Sequence, residues 1–294
     1  MTPKENKEIV HILGRIASAL EKQAGSEPPV PEFEKRGLHI WKSHAGQFQN
    51  VRNTPVLPLD MLVGLDYQAD ILLQNTRQFA QGFPANNALL WGARGTGKSA
   101  LVKAVYRQIA IDESLPFNLI EIQREDMEDT ETILDILSMC RDRRFVLFCD
   151  DLSFDEGESR YKSLKSVLEG GILTRPDHVL FYATSNRRHL MPRQMIENER
   201  SSAIHPGEAV EEKVSLSDRF GLWLGFYNVD QGAYLEMIRT YCSRFGLDGD
   251  LEKIENEALC WARTRGNRSG RVAWQFIQDI AGRKGKVLNA HLII

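Results

Sequence analysis

Ile9, Ile12, Leu13, Ile16, Ala19 and Leu20 fall three or four residues apart between charged neighbours, the spacing of an amphipathic helix over residues 4–23. Its polar face mixes Glu with Lys, which suits packing or an oligomer contact better than a membrane surface. Pro28, Pro29 and Pro31 cannot extend it, so residues 1–25 are expected as an N-terminal helix and 26–55 as a linker or arm. A second helical pattern runs from Asp66 to about Gly82. From there the rhythm changes to short apolar runs at Leu89–Trp91, Phe117–Ile122, Phe145–Cys149, His178–Thr184 and Leu222–Phe226, with helical patterns from Ala100 and from Thr130 to Cys140. Runs of this kind are buried on both faces, so they predict an α/β core over 56–227: a parallel five-stranded sheet sandwiched by helices. Beyond it the pattern is helical only, at Asp230–Phe245, Leu251–Thr264 and Ser269–Ala281, and predicts a small C-terminal helical domain over 228–294. Residues 197–214, polar and of mixed charge, read as an insertion.

Composition narrows the class without adding an element. With 42% hydrophobic and 26% charged residues the chain is an ordinary globular protein, and a net charge of −3 provides no global field for nucleic acid or membrane. The polar start lacks the apolar core of a signal peptide, and no apolar run approaches the roughly 20 residues that span a bilayer, so the expected location is cytoplasmic. Cys140, Cys149, Cys242 and Cys260 lack Cys-x-x-Cys spacing and are expected as reduced thiols with neither a disulfide nor a zinc site. Charge is uneven locally. From Trp261 onward Arg263, Arg265, Arg268, Arg271, Arg283, Lys284 and Lys286 face a single acid, Asp279. Upstream, Phe33, Trp41 and Phe48 interleave with Lys35, Arg36, His39, Lys42, His44 and Arg52, which fits a single-strand-binding segment or, more plainly, an arm packed along the core.

The chemistry concentrates at Gly92-Ala93-Arg94-Gly95-Thr96-Gly97-Lys98-Ser99, which follows an apolar run and opens a helix at Ala100. Glycines at these positions let backbone N–H groups approach phosphate oxygens, Lys98 reaches the β- and γ-phosphates, and Ser99 offers a hydroxyl to Mg²⁺. Phe145–Cys149 ends in Asp150 and Asp151, at the strand end where parallel sheets bind ligands. Asp150 is the expected partner of Ser99 at the metal, and Asp151 stands where a base polarises water. Asn186, closing the next strand, is the polar probe of a γ-phosphate.

Together with Ser217-Asp218-Arg219-Phe220 and Ser269-Gly270-Arg271, these motifs resemble those of AAA+ ATPases. The chain is also similar to a bacterial family known as domain of unknown function 815, through Leu62-Val63-Gly64, Gly92–Ser99, Asp150–Phe154, Tyr161–Lys165, Thr184–Leu190 and Leu216–Leu222. The resemblance implies that Val63 and Gly64 lie in the segment packed on adenine and that the loop through Ala100 holds ATP. It further implies that Asn186 is sensor 1, that Arg271 is the sensor 2 of a helical lid, and that Arg219 is an arginine finger completing the site of a neighbouring copy. A homo-oligomer with shared sites follows, acting on a macromolecular client, with similarity to replication initiators and helicase loaders bringing nucleic acid into view. Most AAA+ motors carry Glu at the position of Asp151, so slow or partner-stimulated hydrolysis is expected. No aromatic-then-glycine pore loop occurs between Ile122 and Ile133.

Two functions therefore compete at this level: an ATPase using Mg²⁺, and a nucleotide-gated binding module with little or no hydrolysis. A small-molecule P-loop kinase is weaker, because such an enzyme needs neither Arg219, Arg271 nor a helical C-terminal domain.

Overall fold

In the computed structural model, residues 31–52, 54–154, 164–165, 168, 175–188, 190, 219–247, 249–288 and 292–293 are described. The helix expected over 4–23, the insertion at 197–214, most of the Tyr161–Lys165 motif, His189, and Ser217 and Asp218 lie outside them.

Five apolar strands form a continuous parallel stretch of one sheet: β4 (Ala88–Gly92), β5 (Asn118–Ile122), β6 (Phe145–Cys149), β7 (Val179–Ser185) and β8 (Leu222–Phe226). Their order is β5-β6-β7-β4-β8, every neighbour parallel. Alternate residues of these strands feed opposite faces. Leu89, Ile120, Leu147 and Phe181 enter a core with Ile133 and Leu137 of α3 (Thr130–Ser138). Leu90, Leu119, Phe148 and Tyr182 enter another with Leu72 and Phe79 of α1 (Asp66–Ala80) and Leu101 and Val105 of α2 (Lys98–Tyr106). With both faces covered, the period-2 pattern of a half-exposed strand is absent and the runs read as continuously apolar.

The sheet has seven strands, two more than expected. β1 (Gly37–Lys42) pairs parallel with β5, and β2 (Gln47–Asn50) pairs antiparallel with β1. Both come from the stretch expected to be a linker or arm. Trp41, 2% exposed, packs in the core with Phe33, and Trp41 Nε1 donates to Asp129 Oδ2 at 2.8 Å. The aromatics are thus core residues, and their presence no longer supports a nucleic-acid-binding arm. The acidic run before α3, residues 125–129, supplies one end of that hydrogen bond.

Three helices follow the sheet: α4 (Gln231–Arg244), α5 (Leu251–Thr264) and α6 (Gly270–Arg283). Each begins on a side-chain cap that satisfies free backbone donors. Asp230 accepts from Ala233 N, Asp250 from Glu252 N and Lys253 N, and Ser269 Oγ from Val272 N. They enclose their own core of Tyr234, Ile238, Ala258, Ala273, Phe276 and Ile277. Met61 joins that core, and its carbonyl accepts from the Tyr241 hydroxyl at 3.0 Å. A short antiparallel pair, β3 (Pro55–Val56) with β9 (Leu292–Ile293), brings the end of the described chain beside the segment that precedes α1. Among the described residues no helix is long and apolar enough to cross a membrane.

Candidate functional site

Beyond the carboxyl ends of β4, β6 and β7 lies a cavity of about 520 Å³. Its floor is the turn from β4 into α2. Gly92 has φ +139°, and a Cβ there would stand 1.9 Å from the carbonyl oxygen of Phe226 on β8, so only glycine permits the strand to leave the sheet at this point. Ala93 N donates to that same Phe226 carbonyl, and Thr96 Oγ1 closes the loop on Ala93 O at 2.8 Å. Gly97, at φ +98°, directly precedes α2, whose first turn lacks a side-chain cap and leaves its N-terminal dipole facing the cavity floor.

Lys98 opens that helix and is buried, 7% exposed. Its Nζ donates to Gly92 O (2.9 Å), Ala93 O (2.7 Å) and Asn186 Oδ1 (3.2 Å). Burial lowers its pKa from the ordinary lysine value; Asp150 and Asp151 oppose that shift, and Arg271 and Arg94 reinforce it. Two cations beside a desolvated ammonium make this a pocket short of negative charge, the electrostatic condition for taking up an anion.

Asp150 and Asp151 follow β6. Asp150 Oδ1 accepts from Ser99 Oγ and Thr184 Oγ1, each at 2.5 Å. Asp151 has φ +52°, rare for a residue with a side chain, and its carboxylate accepts from Asn186 Nδ2 at the end of β7. The Asn186 amide therefore bridges the Lys98 ammonium and the Asp151 carboxylate.

The helical domain closes the far side. Arg271 N donates to Gly95 O at 3.3 Å, and Ser269 lies against Gly95, where a Cβ would come 3.0 Å from its Oγ. Leu57, Leu62, Tyr241 and Trp274 add an apolar wall. Tyr241 and Trp274 meet edge to face with centroids 5.8 Å apart.

Of the residues expected in the site, Arg94, Gly95, Gly97, Lys98, Ser99, Ala100, Asp150, Asp151, Asn186 and Arg271 line this one cavity. Gly92, Ala93 and Thr96 shape the loop behind it. Val63 packs against the helical core, and Gly64 follows at φ +78°; the cavity wall is formed by Leu62 just before them. Arg219 is not part of the lining. It precedes β8, whose Leu222 pairs with Ala88 at the start of β4, so it lies toward the amino ends of the parallel strands, away from the carboxyl ends that carry the cavity. Thr184, Leu57, Tyr241 and Trp274 are wall residues that the sequence did not reveal. Thr184 is hidden in an apolar strand run, and the aromatics sit at ordinary helical core spacing.

The inventory fits a nucleoside triphosphate with Mg²⁺. The glycine cradle admits backbone donors where a Cβ would clash, and Ser99 and Asp150 present hard oxygen donors beside it. Among the described residues no group of three or more His, Cys, Asp and Glu could hold a metal ion by itself. A protein supplying one or two oxygen donors and leaving the rest to phosphates and water is the usual arrangement for Mg²⁺.

The sequence profile of the family described as "Protein of unknown function (DUF815)" matches residues 35–284. No curated protein matches the chain. Among solved structures, the chain is similar to the Orc1 protein of Aeropyrum pernix in complex with DNA, at 16% identity over 76% of this chain and a TM-score of 0.53. It spans 62% of that protein's length. A mutant of RuvB from Thermotoga maritima aligns at 16% identity over 79% of this chain and 69% of its own, at a TM-score of 0.48. At such identities the likeness is one of fold, and that fold is the AAA+ fold.

Proposed function

We propose that this chain, which belongs to the DUF815 family, binds ATP with Mg²⁺ in the cavity above β4, β6 and β7 and hydrolyses it, coupling nucleotide state to the assembly or remodelling of a macromolecular partner. One observation carries the reading: Lys98, Ser99, Asp150, Asp151, Asn186 and Arg271, drawn from four separate stretches of the sequence, line a single cavity. In it the loop backbone and the α2 N-terminus hold phosphate, and the apolar wall from Leu57 to Trp274 receives the base. Lys98 exchanges its carbonyl partners for phosphate oxygens. Mg²⁺, held beside Ser99 and Asp150, supplies neutralisation of phosphate charge. Asp151 accepts the proton of the attacking water, which Asn186 orients, and Arg271 senses the terminal phosphate from the helical domain. Positioning and charge neutralisation are most of what phosphoryl transfer requires. We divide the chain accordingly into an α/β core over 56–227, extended by β1 and β2, and a lid over 228–294.

Arg219 belongs to the site of a neighbouring copy in this reading, since its own cavity lies toward the other end of the sheet. A nucleic-acid partner rests on the basic tail, Arg263, Arg265, Arg268, Arg283, Lys284 and Lys286, the aromatic arm having become core.

The rival, a nucleotide-gated module with little turnover, is favoured by one feature: the Asp151 carboxylate is short and already engaged by Asn186. Fluorescent-ATP binding and phosphate release by the purified protein separate the two. Lys98→Ala is expected to abolish binding. Asp151→Asn is expected to bind with near-normal affinity and to lose turnover. Binding without turnover in the unmodified protein selects the gated module, and no binding at all removes both readings.

A further inference from the structure

We infer that Thr184 is a positioning residue that sets the Asp150 carboxylate and the backbone of Asp151 in this site. The inference rests on the ATPase reading above and adds a role for Thr184, a residue of the Thr184–Leu190 motif to which the sequence assigned none.

Thr184 is the sixth residue of β7 and is 1% exposed. Three of its hydrogen bonds reach the turn that follows β6. Its Oγ1 donates to Asp150 Oδ1 at 2.5 Å and accepts from Asp151 N at 2.9 Å, while its carbonyl accepts from Leu152 N at 2.7 Å. A single side chain and its own backbone thus hold three consecutive residues, and the middle one is Asp151 at φ +52°. A non-glycine residue persists in that region only when its surroundings over-determine it. Here Thr184 provides that determination. Without its hydroxyl, Asp151 N retains only the longer contact to Asp150 Oδ1, 3.1 Å.

The hydroxyl acts on Asp150 as well. Oδ1 takes donors from Ser99 and Thr184, which holds the carboxylate beside the Ser99 hydroxyl, where a cation would be held. A valine has nearly the shape of threonine but can neither donate to Asp150 nor accept from Asp151 N. A serine retains both functions. The consequence of the valine change is an Asp150 carboxylate and an Asp151 backbone held by fewer bonds, which weakens the metal position more than the phosphate cradle, because the cradle is built on β4 and α2.

The test compares unmodified protein with Thr184→Val, Thr184→Ser and Thr184→Ala, measuring fluorescent-ATP binding at graded Mg²⁺ and with EDTA, phosphate release, and thermal midpoint without nucleotide. Thr184→Val is expected to raise the Mg²⁺ concentration for half-maximal binding roughly tenfold and to lower kcat at least as much, the scale of loss when a residue supporting a metal ligand is removed. Binding in EDTA is expected to stay within about twofold, since the loop itself is untouched. Thr184→Ser is expected to restore the Mg²⁺ dependence. Equal loss of binding with and without Mg²⁺ overturns the inference in favour of a purely structural threonine, as does a valine variant with unchanged Mg²⁺ dependence. Should Thr184→Val fail to fold, Thr184→Ala, which leaves a small space, provides the same comparison. If the unmodified protein binds ATP but Mg²⁺ changes nothing, the positioning role falls while nucleotide binding stands; if it binds no ATP, the reading of the site falls with it.

Discussion

At the scale of single residues, several buried polar groups in this molecule fix a neighbour through a hydrogen bond. His39 is the clearest case outside the cavity. It lies on β1, 5% exposed, with Nε2 3.1 Å from Asn118 Oδ1 and its ring edge-on to Phe33. Burial lowers its pKa below the usual 6.5, outweighing the opposing pull of Asn118 and Glu34. The unfolded chain therefore takes up a proton as pH falls through 6.5, while the folded one does so only at lower pH. The stabilisation is complete above 6.5 and is lost as pH falls toward the folded value. Urea midpoints measured from about pH 7.5 to about 5.5 are expected to decline, and His39→Gln to flatten part of that decline. An identical acid slope in the variant would show that His39 is not its source. Cysteines differ in the same environment-driven way: burial raises the Cys149 thiol far above its normal range, whereas Cys260 is exposed.

At the scale of elements, the difference between β4 to β8 and β1 to β2 explains what was legible in the sequence. β4 to β7 are internal strands covered on both faces and, with the apolar edge strand β8, announce themselves as apolar runs; Lys98, Ser99, Asp150, Asp151 and Asn186 could be named because each follows such a run or opens the helix after it. β1 reads Gly-Leu-His-Ile-Trp-Lys, and β2, Gln-Phe-Gln-Asn, is nearly polar. Strands toward a sheet edge tolerate charge and polarity, so their pattern matches that of a solvated arm. The role of Thr184 escaped for the opposite reason, since it closes a run so apolar that its hydroxyl gives no sign of its partners. Packing energies express the same distinction. Trp41→Ala removes a buried indole and its bond to Asp129 and is expected to cost about 3–5 kcal/mol in urea unfolding. A loss below about 0.5 kcal/mol, the usual surface value, would mean that β1 is not part of the cooperative core. α1 is tied to the turn beyond α2 by a bidentate pair from Arg77 Nε and Nη2 to Glu113, at 2.7 and 2.6 Å. Fork geometry makes this one of the few surface pairs with a secure contribution, which a lysine could not reproduce.

At the scale of the whole molecule, the proposed function turns on whether copies combine. With Arg219 outside its own cavity, a shared site makes a sharp prediction. Arg219→Ala is expected to bind ATP normally and to lose turnover by roughly 10³- to 10⁵-fold, the usual worth of an arginine finger. Mixing that inactive variant with inactive Asp151→Asn is then expected to recover phosphate release, because some sites join an intact Asp151 to a neighbour's intact Arg219. A mixture as silent as its components would exclude sharing. The helical domain carries a different consequence within a single copy. Arg271 N is bonded to Gly95 O, so the first turn of α6 rests on the very loop proposed to receive phosphate. Loop and lid are thereby two ends of one equilibrium, and linkage makes the coupling reciprocal: whatever phosphate contributes toward seating α6, an outside partner that seats α6 returns to phosphate affinity in equal measure. A client gripping the lid would thus govern how long nucleotide stays, without touching the cavity itself.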